Sequence, residues 1–121
     1  MSKLILVVED DDGIRDSLKD LLEFEGYQVQ TARHGQEACE QLLSGTSLPA
    51  LILLDLMMPV MDGWEFLKIQ SGDPSLSKIP VVIVSAAGDH AKVPQAQAYL
   101  RKPIHLDKFM EVVKSFCDGP K

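Results

Sequence analysis

The chain has 121 residues, 45% of them hydrophobic and 25% charged, which suits one globular domain built around one core. A formal net charge of −6 argues against a nucleic-acid surface, because phosphate binding needs clustered Lys and Arg. No apolar run approaches membrane-span length, and the opening Leu4-Ile5-Leu6-Val7-Val8 is too short for a signal-peptide core, so a cytoplasmic protein without a membrane partner is expected.

Leu4 to Val8 is a continuous aliphatic run, the pattern of a strand buried on both faces. It ends in Glu9, Asp10, Asp11 and Asp12, and either of the last two can cap the helix that follows. Ile14, Leu18, Leu21 and Leu22 recur at helical spacing as far as Gly26, a natural stop. Tyr27 to Ala32 alternates as a half-buried second strand. Ala38, Cys39, Leu42 and Leu43 mark a second helix closed by Gly45. Ala50 to Leu54 is another buried strand, and it stops abruptly at Asp55. The loop Leu56-Met57-Met58-Pro59 then leads through Met61-Asp62-Gly63 into a third helix over Trp64 to Gln70, with Phe66, Leu67 and Ile69 as its expected core contacts.

Gly72, Asp73 and Pro74 break that helix. Pro80 introduces Val81-Val82-Ile83-Val84, a fourth buried strand ending in Ser85. The region Ala86 to Ala98 has a weak pattern, interrupted by Gly88 and Pro94. Tyr99-Leu100-Arg101 is a short fifth strand running into Lys102-Pro103. Leu106, Phe109, Met110, Val113 and Phe116 give an amphipathic last helix, whose start at His105 lacks a good capping residue. Both cysteines, Cys39 and Cys117, fall in helical segments without metal or redox spacing and read as buried thiols. His34, His90 and His105 show no ligand spacing and read as surface residues.

Strand and helix alternate five times, which predicts an α/β fold with a doubly wound, five-stranded parallel sheet. Such a sheet gathers Glu9, Asp10, Asp55, Ser85 and Lys102 in one crevice beyond the carboxyl ends of its strands. Two carboxylates ~4 Å apart repel by about 4 kcal/mol at an effective dielectric of 20, so a proton or a cation is needed among them. Hard oxygen ligands with room left for water suit Mg²⁺. A carboxylate between a divalent ion and a lysine suits formation of an acyl phosphate, a reaction that depends on positioning and charge neutralisation.

Glu9-Asp10, Asp55 within Asp55-Leu56-Met57-Met58-Pro59-Val60-Met61-Asp62-Gly63, Ser85 and Lys102-Pro103 together resemble the receiver domain of bacterial two-component response regulators. The resemblance covers nearly the whole chain. It implies a flavodoxin-like strand order 2-1-3-4-5 and a single receiver domain over residues 1–121 without an output domain. Asp55 would be the phosphoacceptor, with Asp10, Asp55 and the Met57 backbone carbonyl as Mg²⁺ ligands and Glu9 helping to hold the ion. Ser85 and Lys102 would bind phosphoryl oxygens, and Lys102–Pro103 would be a cis peptide. Ser85 and Tyr99 would move on phosphorylation. The phosphoryl group would come from a histidine kinase or histidine phosphotransfer protein, and the signal would pass to a downstream protein. Such a domain is no enzyme beyond its own phosphorylation and dephosphorylation.

The chain departs from that pattern between Ser85 and Lys102, a segment shorter than the family norm by roughly five residues, more than one helical turn. With Pro94 inside it, a shortened or irregular fourth helix is expected. Ile104 replaces the usual phenylalanine after Lys-Pro. Met57 and Ala87 are apolar where an attacking water would pass, which implies a long-lived phosphoryl group. Three other readings compete. A receiver-like binding module that is never phosphorylated would keep the fold alone. An aspartyl-nucleophile phosphohydrolase would need an acid/base two residues after Asp55, where Met57 stands. A nucleotide- or flavin-binding module would need a Gly- or Ser/Thr-rich loop where Glu9 to Asp12 repel phosphate.

Overall fold

The computed structural model describes residues 3–45, 47–86 and 96–118. Aliphatic runs form the strands β1 (Leu4–Val8), β3 (Leu51–Leu54) and β4 (Val81–Ser85), buried along their length apart from the half-buried Leu4. The alternating β2 (Gln28–Ala32) and the short β5 (Ala98–Arg101) flank them. The five strands are parallel in the order β2-β1-β3-β4-β5. The chain moves outward from β1 to β2, then crosses back to β3, so the order reverses between β1 and β3. That reversal opens a crevice at their carboxyl ends.

Side-chain alternation divides the core into two layers. Ile5, Val7, Leu51, Leu53, Val82 and Val84 point to one face and pack with α1 (Asp12–Phe24) and the last helix, α4 (Leu106–Cys117). Leu6, Val8, Ile52, Leu54, Val81 and Ile83 point to the other and pack with α2 (Gly35–Ser44) and α3 (Gly63–Gly72). Each fully buried aliphatic side chain stabilises the fold by about 1.5–3 kcal/mol, which is why the central strands need no polar residue until they end. Among the described residues no helix is long and apolar enough to cross a membrane.

Helix starts follow local chemistry. The Asp11 carboxylate accepts from the Ile14 N–H at 2.9 Å and the Asp62 carboxylate from the Glu65 N–H at 2.9 Å. α4 starts at His105 without a side-chain cap. At α2, however, His34 is no idle surface residue. It is half-buried, and its Nδ1 accepts from the Glu37 N–H at 3.2 Å. The Glu37 carboxylate in return accepts from the Arg33 N–H at 2.7 Å.

Two apolar expectations fail for one geometric reason. The inner stripe of α2 is Ala38, Cys39 and Leu42, and that of α3 is Phe66, Leu67 and Gln70. Leu43 and Ile69 therefore rotate outward and are exposed. Gln70 takes the place expected for an apolar residue because its Nε2 donates to the carbonyls of Leu76 at 2.6 Å and Ile79 at 3.3 Å, fixing the connection into β4. Of the segment expected to hold a shortened fourth helix, residues 87–95, with Ala87, His90 and Pro94, lie outside the described residues.

Candidate functional site

Backbone pairing carries the key residues to one end of the sheet. The Asp55 N–H donates to the Val8 carbonyl at 3.0 Å and the Lys102 N–H to the Ser85 carbonyl at 3.2 Å, so the ladder continues one residue past the strand ends. Glu9 and Asp55 thus stand side by side beyond β1 and β3. Both are buried, whereas Asp10 is exposed. Oxygen atoms of Glu9, Asp10 and Asp55 all lie within 4.8 Å of one another. Lys102 reaches in from beyond β5, its Nζ 2.9 Å from Glu9 Oε1 and 3.4 Å from Asp55 Oδ2. The Lys102–Pro103 peptide is cis.

Three carboxylates face one ammonium, and the electrostatics reflect that mismatch. Burial pushes the Glu9 carboxyl up to about 7; the Lys102 hydrogen bond opposes this and the neighbouring Asp55 charge adds to it. For Lys102 burial works against the charged form, yet Glu9 and Asp55 together hold its pKa above the ordinary lysine value. A cluster of hard oxygens with one open, exposed member and a net negative charge fits a divalent cation that keeps part of its water shell. Asp10, Asp55 and the neighbouring Glu9 are the side chains able to hold it.

The loop after β3 shapes the other wall. The Met57 N–H donates to Asp55 Oδ1 at 3.3 Å. The Gly63 N–H closes the loop on the Leu56 carbonyl at 2.9 Å, and a Cβ on Gly63 would sit 2.7 Å from the Asp55 carbonyl oxygen, so only glycine fits. Between them Val60 adopts φ 68°, a strained conformation for a β-branched residue, with its side chain 77% exposed.

Ser85 is buried at the end of β4, paired with Arg101 of β5. Tyr99 lies on β5 opposite Ile83 and is 43% exposed. Arg15 is a residue that sequence reasoning missed. Its guanidinium donates to the Glu9 carbonyl at 3.0 Å and pairs with Asp12, steadying the acidic turn from α1. Helical spacing places Arg15 one turn after Asp11 and Asp12, which was the available signal. Cys39 and Cys117 are free and buried away from the cluster.

A family model described as the response regulator receiver domain matches residues 5–114. The polar-differentiation response regulator DivK of Brucella anthropi is 36% identical over 121 residues, spanning 96% of this chain and 97% of its own length. The signal receiver domain of a signal transduction histidine kinase from Syntrophus aciditrophicus has a TM-score of 0.87 at 33% identity, covering 99% of this chain and 93% of its own. The response regulator TrrA of Thermotoga maritima, solved in complex with Mg²⁺-BeF, has a TM-score of 0.83 at 31% identity, covering 94% of this chain and 98% of its own.

Proposed function

The chain belongs to the response regulator receiver family, and on that footing we propose that it takes a phosphoryl group onto Asp55 in an Mg²⁺-dependent reaction. The donor is a histidine kinase or histidine phosphotransfer protein, and the result is a change in protein contacts. One observation carries this reading: the buried Asp55 has Lys102 Nζ 3.4 Å from one oxygen, the Met57 N–H 3.3 Å from the other, and the Glu9 and Asp10 oxygens within 4.8 Å. The Mg²⁺ component is supported by the charge mismatch of the cluster and by TrrA, solved with Mg²⁺-BeF.

An Asp55 carboxylate oxygen attacks the phosphorus of the donor phosphohistidine. The P–O bond forms as the P–N bond breaks, and the imidazole nitrogen leaves with the electron pair and takes a proton from solvent. Lys102 neutralises phosphoryl charge by turning from the carboxylates to a phosphoryl oxygen, and Ser85 donates its hydroxyl to another. When bound by Asp10, Asp55 and the Met57 carbonyl, with Glu9 alongside, Mg²⁺ supplies the remaining positive charge. Ser85 moving toward the phosphoryl group frees space for Tyr99 to turn inward from its exposed position. Apolar Met57 offers no group to orient water, so the acyl phosphate is long-lived.

An apolar groove of about 670 Å³ adjoins the site, lined by Ile14, Leu18, Leu21, Pro103, Ile104 and Leu106. Asp11 and Lys102 line it too, so a phosphodonor protein seated there is continuous with the reacting carboxylate. Leu106→Glu is expected to cut transfer from such a protein about tenfold, roughly 1.4 kcal/mol. Transfer from a small phosphodonor stays unchanged.

The decisive experiment is intact mass after incubation with a small phosphodonor, with and without Mg²⁺, alongside Asp55→Asn. One added phosphoryl group that requires Mg²⁺ and disappears in the variant is the expected result. Wild type that binds Mg²⁺ yet takes up no phosphoryl group from small or protein donors would favour a purely binding receiver.

A further inference from the structure

Helix α2 begins at Gly35 with no room for a side chain. Its N–H is one of the amides that a helix start leaves without an intrahelical partner, and it donates to the Met61 carbonyl at 2.9 Å. A Cβ on Gly35 would stand 2.8 Å from Met61 Cγ and 2.9 Å from the Met61 carbonyl oxygen. The start of α2 and the loop after β3 therefore meet backbone to backbone. Gly63 closes the base of the same loop on Leu56, so two glycines hold it from different elements. Between these points the Met61 N–H donates to the Pro59 carbonyl at 2.8 Å, and Val60 is forced to φ 68°.

We propose that Gly35 is a positioning residue for the Asp55 site, acting through Met61 on the loop that holds the Met57 peptide. The Met57 N–H donates to Asp55 Oδ1, and its carbonyl belongs to the proposed Mg²⁺ ligand set. The inference rests on the reading of the cluster as an Mg²⁺ site. A side chain at Gly35 displaces the loop rather than the helix. α2 is anchored by the buried Ala38, Cys39 and Leu42 and capped by His34, whereas Met57, Pro59 and Val60 of the loop are exposed.

Gly72 supplies the control, since it too lies in a helix and a Cβ there meets nothing within 4 Å. Helix propensity alone makes Gly→Ala stabilising at both positions. The experiment titrates Mg²⁺ by calorimetry and follows backbone amide exchange in the wild type, Gly35→Ala and Gly72→Ala. Gly72→Ala is expected to bind as the wild type does. Gly35→Ala keeps its helical circular dichroism but binds Mg²⁺ roughly tenfold more weakly, the low end for loss of a group that orients a ligand. Its Met57 and Met61 amides exchange faster even without metal. If Gly35→Ala fails to fold, Met61→Ala relaxes the same contact from the loop side and is expected to weaken binding several-fold. Unchanged Mg²⁺ affinity in the folded Gly35→Ala, or in Met61→Ala where that variant replaces it, would overturn this inference while leaving the site reading intact. Wild type that binds no Mg²⁺ would remove the site reading and this inference with it.

Discussion

At the amino-terminal end of the sheet the buried Gln70 amide donates to the Leu76 and Ile79 carbonyls, whereas at the carboxyl-terminal end the buried Glu9 and Asp55 share one ammonium. Both ends bury polar groups. In the first case neutral donors meet neutral acceptors, and the pairing adds to stability. In the second, like charges are held together and one carboxyl is driven up to about 7. The same fold thus contains a polar network that supports it and one that weighs against it in the absence of a cation.

Four measurements test that contrast, the largest effect first. Gln70→Ala takes the donor from the Ile79 carbonyl, leaves the Leu76 carbonyl with the Ile79 N–H alone and opens a cavity, so chemical denaturation is expected to show a loss of about 3 kcal/mol, with Mg²⁺ binding unaffected. Lys102→Met strips Glu9 and Asp55 of their counter-charge, and a loss of about 2 kcal/mol in Mg²⁺-free buffer is expected, below the range for fully buried pairs because the site is partly open. Calorimetry should find that this variant binds Mg²⁺ more tightly than the wild type. Asp55→Asn has the opposite sign. Removing one of the crowded charges is expected to raise metal-free stability by about 1 kcal/mol, and the gap closes as Mg²⁺ is added and stabilises the wild type.

The smallest effect lies at the amino-terminal end. The Tyr27 phenol donates to Asp118, and burial, then the Asp118 charge, pushes its pKa from 10.0 up to about 12. Since the folded state favours the protonated phenol, its contribution is complete below pH 10 and is lost as pH rises through 12. Stability measured across that range should fall less steeply in Tyr27→Phe. An equal slope would remove Tyr27 as a source of the pH dependence.

Much of this arrangement is legible in residue order. Aliphatic runs ending in Glu9, Asp55 and Ser85 announce the strands and the edge where their polar ends gather. Asp11 and Asp12 announce the start of the first helix. What is not legible depends on contacts between distant segments or on a polar residue with an inward task. Gln70 counts as a surface residue by composition, yet it is buried with its amide donating to two carbonyls. Histidine is seldom read as a cap, so the role of His34 depends on ring orientation. The closeness of Gly35 to Met61 leaves no trace in spacing. Ile69 and Leu43 follow an apolar pattern whose exact rotation only packing decides.

The register of the strands also bears on which changes of chain length the protein can absorb. A strand advances about 3.3 Å per residue and turns its side chains to the opposite face at each step. The Lys102 ammonium spans 2.9 and 3.4 Å to its two carboxylates, one such step. Deleting a single residue from β3 would withdraw Asp55 by the whole length of its ion pair and exchange the two core layers along the strand. β1, β3 and β4 therefore act as rulers held in fixed register, and changes of length are expected to be absorbed in the connections between them.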